Sequence, residues 1–309
     1  MTTEGVATGG AGTGLAEQRR GPVLDASAAW ERLLGVRTAA DAVAAGLVQG
    51  HGSGWGWAED ASPEAARLAD LYAPLCLAGS NYAFAQLGQS LDGCIATRTG
   101  DAVYVTGEED RRHLHRLRAL ADAVVVGADT AITDDPRLTV RACAGRNPVR
   151  VVLDPRGRVP AQRRVFTDGC APTLWVLGRS VADSVSDAVA DRVGGANGVE
   201  VVRVAEDGHG FAPRALLDVL AERGLGRVLV EGGGVTVSRF LRDGALQRLY
   251  LTVAPLIVGD GVPGLHFPGS PRMREALRAP VRRVTMGEDM LFELDLQACG
   301  ARSSDPVCQ

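Results

Sequence analysis

From about Leu77 onward the chain repeats one texture: a short, almost wholly apolar run, then a stretch with helical spacing, then another apolar run. Residues 124–126 are all valine, and 150–153, 173–177, 201–204 and 227–230 are similarly rich in Val and Leu. An apolar residue at every position, not at alternate ones, fits a strand buried on both faces, as in a largely parallel sheet covered by helices. The intervening stretches repeat at helical spacing, with Leu114, Leu117 and Ala121 the clearest example and 181–192 and 214–223 the others. An α/β layered fold follows. Residues 82–87 form the first strand, turned by Asp92-Gly93 into a second around 94–97, and 249–253 and 290–296 are late strands. Thr106 to Glu109 fits a capping box ahead of the helix with Leu114.

At 309 residues the chain exceeds one ordinary domain, so an appendage or a second domain is expected. Residues 1–22 are rich in Gly, Thr and Ala and lack the apolar core of a signal peptide, which reads as a disordered tail. Residues 23–76 read as a small helical extension. Ser27 is the expected N-cap of a helical stretch over 25–47 with Trp30, Leu33 and Leu34 on one face, and Ser62-Pro63-Glu64 opens another helix. Residues 77–298 form the main domain, and 299–309 a tail. The net charge of −4 gives no reason to expect nucleic acid or an anionic membrane as partner. No apolar run is long enough for a transmembrane helix. Six scattered cysteines without a CxxC pair point to a reduced, cytoplasmic chain without structural zinc or another bound metal.

Three clusters could carry chemistry. Glu231-Gly232-Gly233-Gly234 follows a buried strand and precedes a helical stretch, so backbone amides could face an anion; a plain tight turn explains the glycines equally well. The spacing is not GxGxxG. Asp134-Asp135-Pro136 is a turn whose carboxylates could brace the loop or face a ligand. Arg118 and Arg141 offer guanidinium forks for a phosphate, although an arginine on a helix is commonly a surface ion pair. His113 and His115 lie two apart on a helix and face different sides, which argues against a shared metal, and His266 reads as a loop residue. No Gly-x-Ser-x-Gly elbow and no zinc-deaminase signature is present.

Gln89-Ser90-Leu91-Asp92-Gly93, the run from Thr130 to Arg141 (TAITDDPRLTVR) and the Glu231 glycine turn together make residues 78–296 resemble the reductase domain of riboflavin biosynthesis. The resemblance implies a dihydrofolate reductase-like fold, NADPH as cofactor, and reduction of a phosphoribosylamino-pyrimidine to its ribitylamino form. It implies cofactor contacts at Gln89, Tyr104, Thr130, Asp134, Pro155, Gly233, Gly234, Val235 and Thr236, and substrate contacts at Arg118, Leu138, Arg141 and Glu231. Asp134 would orient the cofactor or assist proton transfer, Glu231 would grip the pyrimidine or ribose hydroxyls, and Arg118 with Arg141 would hold the phosphate. The loops Asp154-Pro155-Arg156-Gly157-Arg158 and Gly178-Arg179-Ser180 are candidates for the cofactor's 2′-phosphate. A homodimer and a deaminase on a separate protein are also implied. The chain departs from the family pattern at Ala102, where a serine is usual, and at Tyr104, where Trp is usual. A related pyrimidine, pteridine or dihydrofolate-type reductase of secondary metabolism, and a non-catalytic nucleotide-binding scaffold, remain alternative readings.

Overall fold

The computed structural model describes residues 23–50, 54–103, 105–181 and 198–300. Most of the helix expected over 181–192, together with Tyr104 and the two expected tails apart from residues 299 and 300, lies outside the described residues. The chain begins with α1 (Ala26–Leu34), α2 (Ala39–Ala44), β1 (Leu47–Gln49), β2 (Trp55–Trp57) and α3 (Pro63–Cys76). It continues with β3 (Tyr82–Ser90), β4 (Cys94–Thr97), α4 (Glu108–Leu120), β5 (Ala123–Gly127), α5 (Ala128–Thr133), β6 (Val149–Asp154), α6 (Arg164–Thr167), β7 (Thr173–Gly178) and β8 (Val199–Val204). The small strands β9 (Glu206–Asp207) and β10 (Gly210–Phe211) lead to α7 (Pro213–Ala221), β11 (Arg227–Glu231), α8 (Gly234–Arg242) and β12 (Arg248–Ala254). The last elements are β13 (Gly261–Pro263), β14 (Val281–Met286), β15 (Asp289–Asp295) and α9 (Gln297–Gly300).

Nine strands form one sheet in the order β14-β15-β12-β3-β11-β5-β6-β7-β8. From β12 to β8 every pairing is parallel, and only β15 runs against its neighbours. The expected all-apolar strands occupy the middle of this sheet for the expected reason. In β5, Val124 and Val126 join a core on one face while Ala123 and Val125 join a second core on the other. Leaving either face bare would expose a row of valines to water at about 25 cal/mol per Å².

The first core is covered by the N-terminal segment. Trp30 and Leu33 of α1 and Leu71, Tyr72 and Leu75 of α3 pack in one cluster with Leu117, Leu120, Phe84 and Tyr250. Polar ties cross the same boundary: Trp30 Nε1 donates to the Ala144 carbonyl at 2.8 Å, and Arg227 Nη2 to the Cys76 carbonyl at 2.6 Å. The second core is covered by α7 and α8, through Leu216, Leu220, Val237 and Phe240.

Several local expectations differ in instructive ways. The N-cap of α1 is Asp25, whose carboxylate accepts from Ala28 N at 2.8 Å; Ser27 lies inside the helix. The helical stretch over 25–47 is broken after Leu34, and its end becomes β1, which pairs antiparallel with β2 because Trp57 buries its ring beneath α3 and donates to Ala65. The capping box at Thr106 does not form. Gly107 is the N-cap of α4, and its amide donates to Asp289 Oδ2 at 2.7 Å, so a carboxylate from a distant strand meets the orphan amide instead. Ser62 does cap α3, accepting from Ala65 N at 3.2 Å.

Leu33→Ala should therefore destabilise the whole molecule by about 2–5 kcal/mol. Urea unfolding with amide hydrogen exchange at β3 and β11 checks this. A separate early transition that left exchange in those strands untouched would mean that the N-terminal segment folds apart from the sheet.

Candidate functional site

Two strand-to-helix turns lie side by side at the carboxyl ends of β5 and β11, and they interpenetrate. A Cβ on Gly127, at the β5 end, would stand 2.6 Å from Thr236 Oγ1 of α8. A Cβ on Gly232 or Gly233, at the β11 end, would stand 2.8 Å from the Thr130 side chain of α5. Gly232 and Gly233 also have φ of 63° and 37°, a region L side chains avoid. Gly234 has its own restraint, because a Cβ there would lie 1.9 Å from the Gly264 carbonyl oxygen. The helix α8 that starts here has no side-chain cap, and Val235 in its first turn is 79% exposed. The Thr236 amide donates to the Gly233 carbonyl at 3.0 Å, which leaves the Gly234 and Val235 amides for an anion, with the helix dipole favouring negative charge.

Glu231, the last residue of β11, meets Arg118 from α4. Arg118 Nε donates to Glu231 Oε1 at 2.7 Å, and Nη2 to Oε2 at 2.6 Å. The two side chains are 8% and 6% exposed. The cost of burying Glu231 is met by this guanidinium, so the residues assigned by resemblance to opposite ends of a substrate form one bonded unit. Arg118 Nη1 also donates to the Thr139 carbonyl at 3.1 Å. Arg141 converges on the same residue, with Nη1 2.7 Å from Thr139 Oγ1, while its backbone amide donates to His115 Nδ1 at 2.9 Å. Burial and the nearby Arg118 and Arg137 lower the Arg141 pKa below the ordinary guanidinium value. Burial, with the adjacent Arg118 and Arg141, pushes His115 down to about 4, so it is neutral near pH 7 and accepts that amide at Nδ1.

The paired aspartates divide their labour. Asp135 braces the loop, accepting from Arg164 N at 2.7 Å and Nε at 2.9 Å. Asp134 caps α5, its amide donating to Thr130 O at 3.0 Å, and its carboxyl borders the cleft, where desolvation raises its pKa. Asp135 and Leu138 both adopt positive φ, 42° and 54°. For a leucine that is 2% exposed this left-handed backbone stores strain, of order 1–3 kcal/mol.

The cleft between these elements encloses about 500 Å³. Arg118, Thr130, Asp134, Leu138, Glu231, Gly232 and Gly233 line it, as does Ala102. Further polar residues that sequence reasoning missed also line it, among them Gln86, Thr106, Asp110 and Asp129. Asp110 shares a face of α4 with Leu114 and Arg118, a spacing that could have pointed to it. Other candidates stand beside the cleft. Gln89 faces Gly264, whose Cβ would lie 2.7 Å from Gln89 Oε1, while Pro155 closes the end of β6 against Gly178 and Gly210. The Gly178-Arg179-Ser180 loop gives its Arg179 and Ser180 amides to Glu206, at 2.7 and 2.9 Å, and these bonds with the Ser180 hydroxyl hold that carboxyl near 2. One of the two loops considered for a 2′-phosphate thus already holds a carboxylate of the chain itself. In the other, Arg158 pairs with Asp129 at 2.8 Å. Among the described residues no cluster of His, Cys, Asp and Glu could hold a metal, and no helix is long and apolar enough to cross a membrane.

Fold and cleft define a dihydrofolate reductase-like α/β protein with its candidate site across the carboxyl ends of parallel strands. More narrowly, the chain belongs to the RibD C-terminal domain family, whose model matches residues 81–289. A 2,5-diamino-6-ribosylamino-4(3H)-pyrimidinone 5′-phosphate reductase of Methanothermobacter thermautotrophicus is 37% identical over 222 residues, covering 69% of this chain and 96% of its own. The riboflavin biosynthesis protein RibD of Aquifex aeolicus is 34% identical over 206 residues, 66% of this chain and 54% of its own, so this chain spans about half of that relative. Among solved structures, Acinetobacter baumannii RibD superposes with a TM-score of 0.58 at 24% identity, over 77% of this chain and 65% of that one, a likeness of fold.

Glu231→Ala would leave the Arg118 charge buried without its partner and should cost about 3–5 kcal/mol. Replacing both residues with apolar groups of similar volume should recover most of that loss, measured as a double-mutant cycle in urea. Additive losses would show that the pair contributes nothing as a pair.

Proposed function

We propose that the chain is an NADPH-dependent reductase that converts the ribosylamino group of a phosphorylated pyrimidine into a ribitylamino group. The observation that carries this reading is the meeting, around one cleft, of the Thr130–Asp134–Leu138 loop, the uncapped glycine turn of α8 and the Arg118–Glu231 pair. The names of the relatives point the same way: the archaeal protein is a reductase of a ribosylamino-pyrimidinone 5′-phosphate.

The residues fit a dinucleotide. Gly232 and Gly233 bring bare backbone to the cleft, and the first amides of α8, from Gly234 and Val235, suit its pyrophosphate, while the Thr236 amide already donates to the Gly233 carbonyl at 3.0 Å. A bound nicotinamide supplies hydride to C1′ of the opened ribosylamine. Thr130 and Asp134, which line the cleft, would hold that ring. Glu231, fixed by Arg118, presents its remaining lone pairs to the pyrimidine or ribose hydroxyls. Arg118 lines the cleft and Arg141 joins it at Thr139 just behind the lining, and together their outward N–H groups would hold the substrate phosphate. Burial of Leu138 sets the wall between sugar and loop.

A cytoplasmic homodimer served by a separate deaminase accords with this role. Ala102 in the cleft offers no hydroxyl, a loss of about 1.5–3 kcal/mol if a phosphate or other charged group stands there. That observation favours, as a second reading, reduction of a related pyrimidine, pteridine or dihydrofolate-type substrate. A non-catalytic scaffold would need the buried strands but not the polar set gathered around the cleft.

Loss of the reduced-nicotinamide absorbance on adding 5-amino-6-(5-phosphoribosylamino)uracil tests the proposal, with NADH, dihydrofolate and the dephosphorylated substrate alongside. Turnover with NADPH is expected, and turnover of dihydrofolate alone would support the second reading. Arg141→Ala should raise KM for the phosphorylated substrate by about 10- to 100-fold, the equivalent of one hydrogen bond to a charged group. An equal rise for the dephosphorylated substrate would remove Arg141 from the phosphate site.

A further inference from the structure

Hydride transfer to an imine leaves a proton to be found. As the C1′–H bond forms, the C=N π pair moves to nitrogen, and nitrogen must take one proton. Four acids border the cleft: Asp110, Asp129, Asp134 and Glu231. Glu231 has both oxygens on the Arg118 fork, and Asp129 is exposed and paired with Arg158. Asp134 stands on the rim, exposed as a residue, with its carboxyl partly desolvated but held by no hydrogen bond among the described residues. Asp110 alone among the four is both lining the cleft and held by neutral groups, at 2% exposure.

Its surroundings come from three separate elements. Oδ1 accepts from the Thr252 hydroxyl of β12 at 2.6 Å, and the Gln86 amide of β3 reaches Oδ1 and Oδ2 at 3.4 and 3.2 Å. Thr106, just before α4, adds a second hydroxyl. Gln86 is the register neighbour of Glu231 across β3 and β11, so the acid joins the polar row that carries the ion pair. Asp110 and Arg118 stand on one helix face about 12 Å apart along its axis, a span that leaves room for a substrate held between them.

Resting on the reductase reading above, we propose that Asp110 is the acid of the reduction. Its carboxyl O–H gives the proton to the pyrimidine-bound nitrogen as hydride reaches C1′, and the carboxylate left behind takes a proton back from water in the cleft. The nicotinamide is oxidised, the imine is reduced to the amine, and charge balances.

Burial favours the protonated form and raises the pKa of this carboxyl above the usual aspartate value, against the opposing pull of its three hydrogen-bonding neighbours. Asp289 of β15, facing it across the start of α4, acts in the same direction as burial. The other charged groups around it are Arg111 beside it on α4, the Arg118–Glu231 pair two turns further on, and Asp134 across the cleft.

The test uses Asp110→Asn and Thr252→Val in the full chain, read in two independent ways. In turnover, D110N should lower kcat by about 100-fold or more with little change in KM, and abolish the alkaline fall of the pH profile. T252V removes a donor that favours the carboxylate, so it should move that fall to higher pH. In infrared difference titration of wild type against D110N without ligand, a protonated carboxyl should persist well above about pH 4, the ordinary aspartate range. A D110N enzyme with wild-type kcat and an intact alkaline fall overturns the proposal, as does an Asp110 band that titrates near pH 4. A loss of folding stability in D110N with an unchanged pH profile also overturns it, leaving a structural role. Wild-type protein that fails to oxidise NADPH with the pyrimidine overturns the reductase reading instead, and the infrared titration still decides whether Asp110 holds a proton.

Discussion

The bidentate contact between Arg118 and Glu231 is the interaction on which the arrangement of the cleft depends. Two opposite charges have been moved out of water, which is favourable only with near-ideal geometry and further partners for the leftover N–H groups. Both conditions are met, by paired contacts of 2.6 and 2.7 Å and by the Thr139 carbonyl. The contact fixes α4 against the end of β11, and through Thr139 it draws in the loop that carries Asp134, Leu138 and Arg141. Polar groups scattered over more than a hundred positions of sequence therefore occupy one small volume with little freedom to drift.

The sheet supplies the rigid floor for this volume. Because its central strands are apolar on both faces, it needs two covers, and the chain obtains them from different regions. The later helices α7 and α8 cover one side, while α1, α3 and α4 cover the other. The N-terminal segment, which precedes the family-matched residues 81–289, is in this sense a structural layer of the sheet. It also steadies α4, since Tyr72 of α3 hydrogen-bonds His113 of α4 at 2.7 Å and burial keeps that imidazole neutral, with its pKa pushed down to about 3.

Much of this was legible in the sequence, and the reason is local. Runs such as Val124–Val126 announce doubly covered strands because burial on both faces leaves no polar alternation, and Ser62-Pro63 announces the start of α3 because cap and proline act within a few residues. The glycine turn and the 130–141 loop were legible as motifs. What stayed hidden were contacts between partners far apart in sequence. Nothing near Gly107 says that Asp289 will meet its amide, nothing near Asp110 names Thr252, and nothing near Asp92 shows that its carboxylate will accept from the amides of Val258 and Gly259. The two adjacent aspartates look alike as letters, yet Arg164 turns one into a brace and leaves the other at the cleft.

The crossing of the two turns carries an evolutionary consequence. Gly127 makes room for Thr236, and Gly232 and Gly233 make room for Thr130, so each strand end holds the small residue that the other's threonine requires. Neither turn can enlarge or reshape by itself without striking its neighbour. A larger residue at one of these glycines would then call for a smaller one at the facing threonine, which couples two segments about a hundred residues apart in the chain.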